Sequence, residues 1–306
     1  MDCHGLPGVV INIAAHGRLR RGASVIPDMT PIEFAAVTFA ISVGAGIFGS
    51  VLGLGGGIVV VPALTLLLHI DIRYAIGASI VSVIATSSGA GVAYVKERLT
   101  NIRVSMLLET ATTTGAVLGA LLAGIIAGRW LYLIFGLVLA YAAYEMWRRP
   151  HRAADAGAPT DRWGARLRLS GSYHDAALDK EVPYHASRTP WGLALSGVAG
   201  IVSGLLGVGG GIIKVPAMNL VMGLPIKVAS ATSNFMIGVT AAASAGIYFL
   251  RGDINPFIAG PVAIGVVVGA LIGTHILKHL RRSVLQVAFT AVLVFVAIQM
   301  LWKGLL

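Results

Sequence analysis

The residues best suited to chemistry in this chain are two glycine triplets and one lysine. Residues 53–63 read G-L-G-G-G-I-V-V-V-P-A, and residues 207–217 read G-V-G-G-G-I-I-K-V-P-A. Gly55, Gly56 and Gly57, like Gly209, Gly210 and Gly211, leave backbone N–H groups uncovered by side chains, and each triplet opens a short apolar segment. At a helix N-terminus such amides, with the helix dipole behind them, favour negative charge. Two such helix starts brought together would cradle an oxyanion. The competing explanation is that small residues merely let helices approach closely. A nucleotide P-loop is excluded, because no Lys-Ser or Lys-Thr follows the glycines.

Lys214 breaks the likeness of the two phrases, since Val60 stands at its place in the first. A lysine at membrane depth is costly, which makes it a candidate for holding an anion. Its alternative is to snorkel to an interface. Hydroxyls and an amide follow on the next segment: Ser79, Ser82 and Thr86 in the first half, Thr232, Ser233, Asn234 and Thr240 in the second. Ser79, Ser82 and Thr86 are spaced to share one helix face. Ser79, Ser233 and Asn234 are candidate donors to a substrate's oxygens, with helix–helix packing as the competing role. Glu109 is the sole acid in a long apolar stretch. It reads either as a coupling carboxylate or as an interfacial acid six residues past Arg103. His69, His275 and His279 have no metal-like partners, Cys3 is the only cysteine, and no nucleophile has a base beside it. These absences speak against an enzyme and against a cofactor or metal.

The elements that must position these residues are apolar helices. The chain of 306 residues is 56% hydrophobic and 12% charged, with a mean hydropathy of +0.83. That is far too apolar for a soluble domain of this length. Charge is absent from 74–95 and from 256–277, each about the ~20 residues that span a hydrocarbon core. Such spans are helical, because backbone polar groups in lipid must pair internally. The segments 58–69 and 212–223 are too short to cross as full helices and read as half-helices. The two glycine phrases lie 154 residues apart (53 to 207). The register also matches Ser79, Thr86, Tyr94 and Asn101 to Ser233, Thr240, Tyr248 and Asn255. An in-phase ladder of this kind marks a duplicated unit, a signature of transporters.

The glycine phrases, with A-S-A-T-S-N-F at 229–235 and G-D-I-N-P at 252–256, resemble the signature of the TauE/SafE family of membrane permeases. The resemblance covers roughly residues 32–304. It implies secondary transport of sulfur-containing anions such as sulfite, sulfoacetate or other organosulfonates, in either direction, across a plasma membrane. The partners expected are a small anionic substrate, the lipid bilayer and a coupling proton or sodium ion, with no nucleic acid. An anion channel and an intramembrane enzyme are the rival readings.

The expected organisation is an all-α integral membrane protein. A poorly ordered, uncleaved extension occupies 1–31, and membrane repeats occupy 32–148 and 190–306. A hydrophilic loop at 149–189 joins the repeats, either as a solvated linker or with a small β-hairpin. Each repeat is expected to hold about four crossings plus one half-helix. An even number of crossings makes the repeats parallel and places both termini and the 148–188 loop in the cytoplasm.

Overall fold

The computed structural model describes residues 30–148, 161–175, 180–279 and 282–305, so residues 1–29 of the expected N-terminal extension and the 149–160 stretch lie outside the described residues, while Thr30 and Pro31 already belong to the start of the first helix. The first half comprises α1 (Pro31–Leu52), α2 (Gly57–Pro62), α3 (Ile72–Lys96), α4 (Ile102–Ala123) and α5 (Gly128–Arg148). A short α6 (Arg162–Arg166) and a hairpin of β1 (Gly171–Asp175) and β2 (Lys180–Tyr184) follow. The second half comprises α7 (Thr189–Leu206), α8 (Gly211–Pro216), α9 (Ile226–Leu250), α10 (Pro256–His279) and α11 (Arg282–Leu305). Six of these, α1, α3, α4, α7, α9 and α10, are long and apolar enough to cross a membrane. The protein is thus an all-α integral membrane protein apart from one small hairpin, in which Ser172 pairs with Pro183.

Local sequence sets the helix ends. Thr30 and Glu33 form a capping box ahead of Pro31, and Asp71, Asn101 and Asp161 cap α3, α4 and α6 with their side chains. Such caps satisfy amides that a helix start leaves unpaired. Pro62 and Pro216 lie within the short helices, and at each the coil widens into a π-helical turn, Ala63–Leu67 and Ala217–Val221. Proline lacks the N–H that a regular turn requires, so a wider turn accommodates it.

Contacts between helices fix the direction of each half. On α3 and α9, Gly77 lies against Asp253, Ser87 Oγ donates to the Asn234 carbonyl, and the Asn101 amide just past α3 donates to Thr232 Oγ1. Ascending α3 therefore descends α9. The matched pair α5 and α11 behaves likewise, with Arg129 bonded to Gly304 and Gly136 against Leu301. By contrast α4 runs with α7, where Gly115 meets Gly197 and Gly119 meets Ile201, while α1 runs with α10, where Gly265 meets Phe39 and Gly273 meets Ile47.

This corrects the parallel arrangement. Corresponding helices run in opposite directions, because each short helix with its following loop returns the chain across the bundle and makes the number of passes odd. Residues 72, 124–129, 251–255 and 304 gather at one end. The hairpin, residues 97–103 and 222–232 gather at the other. The start of α1 joins the first end, since Phe34 stacks on Phe257. The described ends of the chain and the inter-repeat hairpin are therefore on opposite ends, not on one.

Candidate functional site

The two glycine phrases meet where α3 and α9 cross. Gly56 and Gly210 both adopt left-handed backbone, φ +72° at each, which favours glycine and turns the chain sharply into the short helix. The turns also touch across the two halves. A Cβ on Gly211 would lie 2.3 Å from the Gly53 carbonyl oxygen, and one on Gly57 would lie 3.1 Å from the Val208 Cα. Gly55 and Gly209 face the same pair, Val83 and Ile237, at the crossing. The structure thus brings both triplets to one centre, in a closely packed and fully buried arrangement.

The hydroxyls that sequence singled out lie at this centre, and each already has a backbone partner. Ser79 Oγ donates to the Gly207 carbonyl at 2.7 Å, and Ser233 Oγ donates to the Gly53 carbonyl at 2.7 Å. Asn234 Nδ2 donates to the Ser50 carbonyl at 2.7 Å, while its Oδ1 is buried without a hydrogen bond. Tyr94 and Tyr248 repeat the theme, donating to the Ser50 and Gly204 carbonyls. Helix ends leave carbonyls without intrahelical donors. These side chains supply them, so in this conformation the hydroxyls brace the opposing glycine turn.

Lys214 and Glu109 are brought together, which spacing along the chain did not show. The Lys214 side chain is 0% exposed, and its ammonium donates to Thr240 Oγ1 at 2.6 Å. Thr240 Oγ1 in turn donates to Glu109 Oε1 at 2.6 Å, which also accepts from Thr113 Oγ1 at 3.1 Å. Glu109 Oε2 stands 3.7 Å from the ammonium and is buried without a hydrogen bond. The snorkelling alternative for Lys214 is therefore corrected, because its head group points into the bundle. The interfacial alternative for Glu109 is corrected as well, because it pairs across the halves. The positions that match Lys214, Thr240 and Glu109 in the opposite half are Val60, Thr86 and Ala263, so no charge stands there. A cavity of about 370 Å³ flanks Glu109 between α4 and α9. Among the described residues no cluster of three metal-ligating side chains occurs.

Paired re-entrant helices meeting at the centre of an apolar helical bundle, beside a buried charge pair, define a multi-pass membrane transporter. The family model for the sulfite exporter TauE/SafE matches residues 38–300, and the chain belongs to that family. It is similar to the probable membrane transporter protein YunE of Bacillus subtilis (strain 168), 27% identical over 273 residues, covering 85% of this chain and 95% of the relative. A probable membrane transporter protein of Xylella fastidiosa (strain Temecula1 / ATCC 700964) is 27% identical over 271 residues, covering 86% and 95%. The sulfite exporter TauE/SafE family protein 3 of Arabidopsis thaliana is 32% identical over 106 residues, covering 34% and 21%. No solved structure matches the chain.

Proposed function

We propose that the protein is a secondary permease for sulfur-containing anions, sulfite, sulfoacetate or other organosulfonates, working by alternating access around the meeting point of α2 and α8. It is a carrier in this reading, neither a channel nor an enzyme. The observation that carries it is Lys214, a cation wholly buried on the re-entrant helix between the two halves. A charge held at that depth is expensive, and Glu109 reaches it mainly through Thr240, which leaves ammonium donors for an anionic substrate. The glycine amides of the two helix starts add neutral donors, and the family name of the matching model supplies the sulfur chemistry. Opposed halves that pack through glycine contacts suit a rocking motion of one half against the other.

The orientation belongs to the same proposal. Lys96, Arg98, Arg103, Arg162, Arg166, Arg168, Lys180, Arg188 and Lys227 lie at the hairpin end, whereas Arg73, Arg129, Arg251 and Lys303 lie at the other. Basic residues concentrate on the cytoplasmic side, so the hairpin faces the cytoplasm of a plasma membrane and the C-terminal end of α11 faces away. The join of α10 and α11, with Lys278 and Arg282, lies at the same basic end.

Calorimetry on purified protein with sulfite, thiosulfate, sulfoacetate, taurine and sulfate tests the substrate class. Lys214→Met should weaken the preferred anion by about 10- to 150-fold, the loss of a charge-assisted hydrogen bond. An unchanged dissociation constant in that variant would remove Lys214 from the site.

A further inference from the structure

We propose that Glu109 and Lys214 form a proton-exchange pair: an incoming anion takes the place of the Glu109 carboxylate on the Lys214 ammonium, and Glu109 receives one proton as it is displaced. This rests on the anion-permease reading above and assigns its coupling ion.

The pair is placed for such an exchange. Glu109 reaches Lys214 mainly through the Thr240 hydroxyl, a neutral bridge, while its second oxygen stands 3.7 Å from the ammonium and makes no hydrogen bond. A lysine ammonium has three donors. Thr240 takes one, so an anion oxygen can bind before the carboxylate leaves. Two carboxylate-like anions do not share one buried ammonium without one being neutralised, and a proton is the neutralising species that fits within bonding distance. The balance is simple. Before the exchange the site holds one ammonium and one carboxylate. Afterwards it holds the ammonium, the bound anion and a neutral carboxylic acid, so a singly charged substrate and a proton cross together without net charge.

Among the described side chains of the helices packed against the pair, no other carboxylate competes for the role. Helix α7 carries no charged residue, α9 carries Lys227 alone, in its first turn, and α8 carries Lys214 alone. On α4 the other ionisable residue is Arg103, more than a turn away. Glu109 also borders open space: a cavity of about 370 Å³ beside it is lined by Ser105, Thr110 and Thr113 and by Met106, Phe235 and Val239. A sodium ion fits poorly, since it would need several oxygen ligands within contact of a lysine ammonium.

The test uses two singly charged organosulfonates, methanesulfonate and benzenesulfonate, neither of which titrates near neutral pH, with purified protein in weakly buffered detergent and an indicator dye. Wild type should take up about one proton per anion bound, and its affinity should fall about tenfold per pH unit across the neutral range. Glu109→Gln should bind the anion at least as tightly, take up no proton and lose that pH dependence. Anion binding by wild type without proton uptake overturns the exchange and leaves the permease reading standing. Proton uptake retained in Glu109→Gln overturns it too. Should Glu109→Gln fold poorly, the wild-type pH dependence decides alone, and a flat profile overturns the proposal. Binding of neither anion at any pH removes the permease reading and the exchange with it.

Discussion

Ser79 and Gly207 lie 128 residues apart, yet the Ser79 hydroxyl donates to the Gly207 carbonyl at 2.7 Å, tying α3 to the glycine turn of the other half. Ser233 and Gly53 repeat the bond at the same length. Two reciprocal ties hold the re-entrant starts against each other, and they define what those hydroxyls contribute in this conformation.

Ser79→Ala and Ser233→Ala should each lower stability by about 0.6 kcal/mol and by no more than about 1.7 kcal/mol, the average and maximum for interhelical side-chain hydrogen bonds in a membrane protein. Thermal unfolding in detergent reads this directly, alongside anion affinity by calorimetry. The expected result is a lower midpoint with affinity unchanged. A lost affinity with an intact midpoint would return these hydroxyls to the substrate.

Gly210→Val should abolish transport. It places a β-branched residue at φ +72°, with its Cβ about as near to the Ala199 carbonyl as the 2.8 Å separation there allows. The left-handed conformation alone costs roughly 1–2 kcal/mol for a residue with a Cβ. Gly246→Ala is the matched control, because nothing lies within 4 Å of the Cβ it would add. That variant should behave as wild type or gain up to about 1 kcal/mol from helix propensity. Equal uptake by both variants would show that the glycine turn tolerates a side chain.

Opposed halves put Ser172 and Leu305 on opposite membrane faces. Both are exposed, so single cysteines there, in a Cys3→Ser background, should react with an impermeant reagent from opposite sides. The positive-inside bias further predicts that Leu305→Cys labels from outside intact cells and Ser172→Cys does not. Labelling of both from one side would restore the parallel arrangement.

The inter-repeat segment should behave as a docked cap. Asn101 Nδ2 donates to the Leu169 carbonyl at 2.8 Å and to Tyr184 Oη at 3.0 Å, while Asp161 accepts from the amide and the hydroxyl of Thr189. Tyr173 and Tyr184 are buried. Asn101→Ala removes the central donor, so limited proteolysis should cut within 167–188 several-fold faster, with the membrane helices intact. Unchanged cleavage would mean that the Asp161 anchor suffices.

Much of this was written in the sequence, and the reason is local. Hydropathy and length decide that a segment enters the membrane, since no lipid-exposed backbone is left unpaired. The in-phase glycines, Pro62 and Pro216 announce two matching turns, because a left-handed turn and a broken helix each demand a particular residue type. Of the two alternatives for the inter-repeat segment, a solvated linker or a hairpin, the structure holds the hairpin. The direction of the second half was not legible. A helix has the same apolar period read either way, and the parity of passes turned on whether an 11-residue coil and its loop return across the bundle. The partners of Lys214 were hidden for a related reason. Glu109 and Thr240 lie 131 residues apart, and only the parallel packing of α4 against α9 places both beside the ammonium. Sequence determined which residues are chemically unusual in this membrane protein, and tertiary packing alone decided which of them meet.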